Sequence, residues 1–157
     1  MPDEERTPAL TGGCQCGAVR YALYSVPTEP SICHCRMCQK AFGNYFAALA
    51  GVPMADLAWT RGRPGTFDSS ELVERGFCRD CGTPLFFRYR NRDRISVSIG
   101  SLDEPDRVAP LAQYGMEAKS PHFDGLHRLA GEAATETYAN TSRQHPDHDT
   151  ETWPSAR

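Results

Sequence analysis

Residues 77–84 read Phe-Cys-Arg-Asp-Cys-Gly-Thr-Pro, FCRDCGTP. Two cysteines separated by two residues, with a glycine directly after the second, form a metal knuckle. Backbone N–H groups turn toward the two sulfurs, and Gly82 permits the tight turn that follows the second ligand. A closed zinc site needs four ligands, so this knuckle calls for a second cysteine pair. The stretch GGCQCGAVRY, residues 12–21, supplies it in Cys14 and Cys16. Cys14, Cys16, Cys78 and Cys81 then make a closed, structural four-cysteine zinc site that joins an early strand to a late one. A small β domain with a limited core uses such a staple for stability. The competing reading keeps Cys14 and Cys16 as buried thiols.

The other three cysteines lie in SICHCRMCQK, residues 31–40, as Cys33, Cys35 and Cys38, and the chain has no eighth. His34 sits between two of them. In an extended Cys-His-Cys stretch its side chain points away from both flanking sulfurs, which assigns it to packing or the surface. His122 and His127 are remote in sequence, and His145 and His148 fall in the C-terminal segment. The economical arrangement is three sulfurs plus an open position, that of a catalytic zinc. Three thiolates leave such an ion at about −1, which weakens it as a Lewis acid and disfavours hydroxide chemistry. A fourth, exogenous thiolate suits a borderline-soft metal, and a thiolate held near neutral pH suits addition to an aldehyde carbon. Arg36 and Lys40, four apart on a short helix, offer either a substrate carboxylate contact or a solvated basic face. Phe42, Tyr45, Phe46 and Trp59 read as core or as a pocket lining.

The remainder is mainly β with little helix. Ala18–Val26, Tyr45–Ala50, Leu57–Thr60, Glu71–Phe77 and Pro84–Arg90 read as strands. So does ISVSIGS, residues 95–101, with Ile95, Val97 and Ile99 on one face. Residues 109–115, APLAQYG, form a last strand candidate, and one or two helical turns run from Arg36 to Phe42. At 157 residues the chain fits one domain. Residues 9–130 are assigned to it, between a flexible tail of 1–8 and a polar, disordered tail of 131–157. The net charge of −3 and the absence of a basic block argue against nucleic acid. No apolar run reaches membrane-spanning length, and the acidic N-terminus lacks a signal-peptide layout, so the expected setting is cytoplasmic. An odd cysteine count in a reducing compartment favours metal or chemistry over disulfides.

Taken in order, GGCQCGAVRY, CHCRMCQKAFG, ERGFCRDCGTPLFFR and ISVSIGSLDEPDRV closely resemble the glutathione-dependent formaldehyde-activating enzyme family, also called the centromere protein V family. The resemblance covers roughly residues 10–120. It implies a Mss4-like fold, a β-tent of short antiparallel sheets. It implies a structural zinc on Cys14, Cys16, Cys78 and Cys81 and a catalytic zinc on Cys33, Cys35 and Cys38, two ions per chain. The implied activity joins formaldehyde and glutathione as S-hydroxymethylglutathione, a carbon–sulfur lyase reaction, with a small thiol and an aldehyde as partners. Two other readings stand beside it: a glutathione or thiol-adduct carrier without turnover, and an interaction module whose metals are both structural.

Overall fold

The computed structural model describes residues 6–134 and 142–152; the remaining parts of the two expected tails lie outside the described residues. Among the described residues, ten short strands form two sheets. The small sheet runs β1-β2-β5, built from β1 (Leu10–Gly13), β2 (Arg20–Leu23) and β5 (Leu57–Arg61). The large sheet contains β3 (Ser31–Cys33), β4 (Ala47–Pro53), β6 (Gly65–Asp68) and β7 (Val73–Phe77). It is completed by β8 (Pro84–Tyr89), β9 (Arg94–Ser98) and β10 (Ala112–Tyr114). Its order is β10-β3-β4-β9-β8-β7-β6. One α-helix, α1 (Arg36–Phe42), lies between β3 and β4, and short 3-10 turns make up the other helical segments. The fold is mainly β with two sheets and little helix, as the sequence leads one to expect.

The expected strands are present, with shifted ends. Of Ala18–Val26 only Arg20–Leu23 is strand, because the residues before it close a cysteine turn through Cys14 N–H···O Val19 at 2.9 Å and Gly17 N–H···O Cys14 at 3.1 Å. Ile99 is buried with Ile95 and Val97, but it opens a 3-10 turn, Ile99–Ser101, instead of extending β9. β1, β3 and β6 are three or four residues long, too short for alternation to register in the sequence. β10 pairs parallel with β3, whereas every other pair is antiparallel. A parallel neighbour needs a long connection, and residues 34–111, which carry α1 and β4 to β9, lie between the two strands.

The two sheets share one core. Tyr21 and Leu23 from the small sheet meet Val52, Leu85, Phe86 and Val97 from the large one. The Tyr21 hydroxyl is satisfied by Ser101 Oγ at 2.7 Å, so its burial leaves no unpaired oxygen. Parity then divides the large sheet. Gly76, Phe86, Val97 and Ala50 form one row across β7-β8-β9-β4, and Phe86, Val97 and Ala50 of that row face the core. The neighbouring row, Arg75, Phe87, Ser96 and Gly51, faces the other way. A small side chain at Ser96 and none at Gly51 leave open space above the middle of that face.

Arg20 anchors the far side of the core. It is buried and makes a bidentate pair with Asp103, at 2.8 and 2.6 Å. Asp103 also accepts from Thr11 Oγ1 at 2.5 Å. Residues read as tails touch this region. Arg6 reaches Asp56 at 2.8 Å. Within the segment expected to be a disordered tail, His145 is buried, its N–H donates to Gln15 O at 2.8 Å, and Asp149 meets Arg20 at 2.7 Å. Composition missed these contacts because polar groups, and no apolar run, make the attachment.

Burial raises the Asp103 carboxyl, but Arg20 and Thr11 outweigh it and hold it below the usual range. Asp103→Asn removes the buried partner of Arg20 and leaves its guanidinium only the half-exposed Asp149, so it is expected to cost about 3 kcal/mol in urea unfolding near neutral pH. The carboxylate's contribution is full above its unfolded pKa of roughly 4 and is lost as pH falls through the lower folded value. The gap between wild type and Asp103→Asn should therefore narrow in acid.

Candidate metal centres and the adjoining cavity

Both cysteine clusters assemble. The sulfurs of Cys14, Cys16, Cys78 and Cys81 lie within 4.8 Å of one another, and so do those of Cys33, Cys35 and Cys38. None of the seven is in a disulfide.

The four-sulfur cluster joins the β1–β2 turn to the β7–β8 turn. Cys14 Sγ and Cys16 Sγ are 3.5 Å apart, and Cys16 Sγ and Cys78 Sγ 3.8 Å. Gly17 and Gly82, each directly after its cysteine pair, both have φ near +80°, a conformation that favours glycine. Backbone N–H groups point at the sulfurs, Val19 to Cys14 at 3.3 Å and Asp80 to Cys78 at 3.4 Å. Gln15 N–H bonds Thr83 Oγ1 at 3.0 Å and clips the two turns together. Burial pushes the Cys14 thiol well up. Burial opposes ionisation of Cys81 too, but the Thr83 hydroxyl and the backbone N–H groups of Thr83 and Cys16 bring it down to about 6. Amides aimed at clustered sulfurs are the donors that metal-bound thiolates accept from, so the residues fit a closed tetrahedral ion.

The three-sulfur cluster is built at the end of β3. Cys33 is its last residue, Cys35 caps α1, and Cys38 lies in the first turn. The Cys38 N–H donates to Cys35 Sγ at 3.4 Å. Gly115, after β10, packs on this loop with φ 66°, and a Cβ there would lie 2.6 Å from Cys35 N. Gln39 Nε2 donates to His34 O at 2.6 Å and to Ala118 O at 2.9 Å, tying helix, loop and the β10 extension together. His34 is fully buried on the other side, with Nε2 on Gln113 Oε1 at 2.8 Å and its ring edge-on to Phe123 at 4.8 Å. Among the described residues no histidine or carboxylate joins this cluster.

The three sulfurs open onto a cavity of about 440 Å³ above the Arg75–Phe87–Ser96–Gly51 row. Four arginines, Arg75, Arg88, Arg92 and Arg94, line it against one carboxylate, Glu29. Arg88 bonds Glu74 at 3.0 Å, Arg92 stacks 4.8 Å over Tyr89, and Arg94 donates to Gly51 O at 3.1 Å. Arg75 Nη2 donates to Cys38 Sγ at 3.3 Å. Burial raises Cys33 to about 12 and also raises Cys38, whose rise the Arg75 guanidinium opposes. Burial acts on Cys35 as well, but the Cys38 N–H, the neighbouring thiols and the Arg75 charge draw it below an ordinary thiol.

The sequence named other neighbours. Arg36 and Lys40 are exposed and do not line this cavity. Neither do Phe42, Tyr45, Phe46 and Trp59. Trp59 packs edge-on to Tyr21 at 5.8 Å, Phe46 meets Phe123 at 5.4 Å, and Phe42 backs the three-cysteine loop. Arg75, Gln39 and Gly115 went unnoticed. The alternation Val73, Arg75, Phe77 places Arg75 on one strand face, but only the register with β8 and β9 shows what that face borders.

The profile of the glutathione-dependent formaldehyde-activating enzyme family matches residues 9–117, and the chain belongs to that family. An uncharacterized lyase of Schizosaccharomyces pombe is 34% identical over 86 residues, 54% of this chain and 61% of the relative. A protein of Phaeosphaeria nodorum, provisionally named a glutathione-dependent formaldehyde-activating enzyme, is 32% identical over 80 residues, 50% of this chain and 42% of its own. The matched region thus spans less than two thirds of either relative. The crystal structure of a Rhodobacter sphaeroides protein superposes with a TM-score of 0.55 at 22% identity, covering 66% of this chain and 99% of that one, a likeness of fold.

Gly115→Ala forces a side chain into left-handed backbone against Cys35. The expected cost is about 2 kcal/mol in urea unfolding, with metal content reduced at one of the two clusters.

Proposed function

We propose that this chain is a zinc enzyme joining a small thiol, glutathione or a close relative, to formaldehyde, or cleaving that adduct, a carbon–sulfur lyase-type reaction. The observation that carries the reading is a cluster of three cysteine sulfurs, with no fourth donor among the described residues, at the wall of an arginine-lined cavity. The volume of about 440 Å³ falls within the range of small-molecule sites. The family and the names of its members support the choice of thiol and aldehyde.

Soft sulfur donors fit zinc at both clusters. Cys14, Cys16, Cys78 and Cys81 would hold a structural ion, and Cys33, Cys35 and Cys38 a second one with a position to spare. When bound, that ion supplies positive charge that keeps a substrate sulfur ionised near neutral pH. The protein's own residues do the rest. Arg92 and Arg94, which have no carboxylate partner among the described residues, receive the carboxylates of an anionic thiol. Phe87 and Tyr114 give the cavity its apolar wall. Seven cysteines without a disulfide suit a reducing, cytoplasmic setting.

The test is NMR exchange spectroscopy on glutathione, formaldehyde and their adduct. The zinc-loaded protein is expected to accelerate the exchange at catalytic concentration, and Cys35→Ser to abolish the acceleration with stability nearly intact. Stoichiometric glutathione binding with an unchanged exchange rate would replace the enzyme by a carrier. Cys78→Ser, by contrast, should lower unfolding stability by roughly 4 kcal/mol or more, because it opens the closed cluster.

A further inference from the structure

Among the arginines of the cavity, Arg75 differs from the rest. It is 3% exposed, and its guanidinium is fixed on three sides. Nε donates to Ser69 Oγ at 2.9 Å, Nη2 donates to Cys38 Sγ at 3.3 Å, and Phe87 lies 5.0 Å beneath the guanidinium carbon. Nη1 is buried and has no partner among the described residues. Nη1 and Nη2 share one carbon, so this unused donor sits beside the three-sulfur cluster, on a residue that lines the cavity. A buried N–H without an acceptor is rare in folded proteins, and at a cavity wall its acceptor comes from outside the chain, a water at rest and a ligand atom when one is bound. That ligand atom must be an acceptor. The guanidinium's charge favours an oxygen carrying, or acquiring, negative charge.

We propose that Arg75 is a catalytic residue of this cavity, donating through Nη1–H to the aldehyde oxygen as that oxygen becomes an alkoxide. The inference rests on the thiol–aldehyde reading above. In the addition, the thiol proton passes to solvent and the sulfur electron pair forms the C–S bond. The C=O π pair moves onto oxygen, and water returns one proton there. Thiol and formaldehyde give the S-hydroxymethyl adduct with no oxidant or reductant. A donor fixed before charge develops stabilises the transition state more than the ground state. Arg88, Arg92 and Arg94 are engaged with Glu74, Tyr89 and Gly51, and serve the distal parts of the substrate.

The test compares wild type with Arg75→Gln and Arg75→Lys, all loaded with zinc. Four quantities are measured: zinc per chain, glutathione affinity, turnover at saturating glutathione, and affinity for formate by calorimetry. Formate is a one-carbon anion that needs no turnover to report on the donor. Zinc content and glutathione affinity are expected to stay within about threefold of wild type. Turnover should fall about 100-fold in Arg75→Gln and about 10-fold in Arg75→Lys, and formate affinity at least about 10-fold in Arg75→Gln. Unchanged turnover and unchanged formate affinity would overturn the proposal. So would a loss of turnover that follows lost zinc and returns on adding zinc, since Arg75 would then only hold Cys38. If Arg75→Gln fails to fold, Arg75→Lys decides, read against an expected formate loss of about threefold or more. If wild type itself does not accelerate adduct formation, the thiol–aldehyde reading falls, and the formate comparison alone decides whether Arg75 is an oxyanion donor.

Discussion

The four sulfurs of Cys14, Cys16, Cys78 and Cys81 converge within 4.8 Å, and the pairs come from different sheets. Cys14 and Cys16 follow the edge strand of the small sheet, while Cys78 and Cys81 turn β7 into β8 of the large one. An ion held there is a cross-link between sheets that the modest core alone does not supply. It also fixes where β7 ends. From that point the register of β7 on β8, and β8 on β9, decides which row of side chains meets the core and which meets solvent. Arg75 belongs to the second row because it pairs with Phe87, just before the register shift at Gly76 and Phe77 that leads into the knuckle. The four-cysteine cluster and the cavity share strand β7.

The electrostatics of the cavity follow from the same placement. Three thiols on a short loop strongly disfavour ionisation together, since burial and mutual repulsion both oppose it. Arg75 counters this from the sheet, touching Cys38 and lowering Cys35 through its charge. The remaining arginines extend positive potential toward the entrance. On the proposed reading, an anionic thiol would meet guanidinium groups at the rim and the Arg75 guanidinium beside the sulfurs at the base. The cavity wall is thus locally positive although the whole chain carries −3.

Much of this was legible in the sequence, for a definite reason. Metal ligation depends on residue type and close spacing, so the four-and-three division of the cysteines emerged before any fold did. Strands such as β9 were visible because apolar residues that face the core, Ile95 and Val97, alternate with polar ones. Arg36 and Lys40 take the second of the two roles their spacing allowed, a solvated basic face: both are exposed and neither lines the cavity. Arg75, some forty residues from the loop it serves, could not be found without the pairing register. His145 and Gly115 were opaque for a related reason. Each acts through close contacts with a distant turn, and such contacts leave no pattern in composition or periodicity.

The central claim is that two metal sites of different character coexist, one closed and one with an exchangeable position. Cadmium NMR on the protein loaded with the magnetic isotope tests it most directly, since thiolate-bound cadmium reports the number of sulfurs around each ion. Two resonances are predicted, with glutathione shifting one toward a four-sulfur environment and leaving the other in place. A single resonance, or two that both ignore glutathione, would contradict the account.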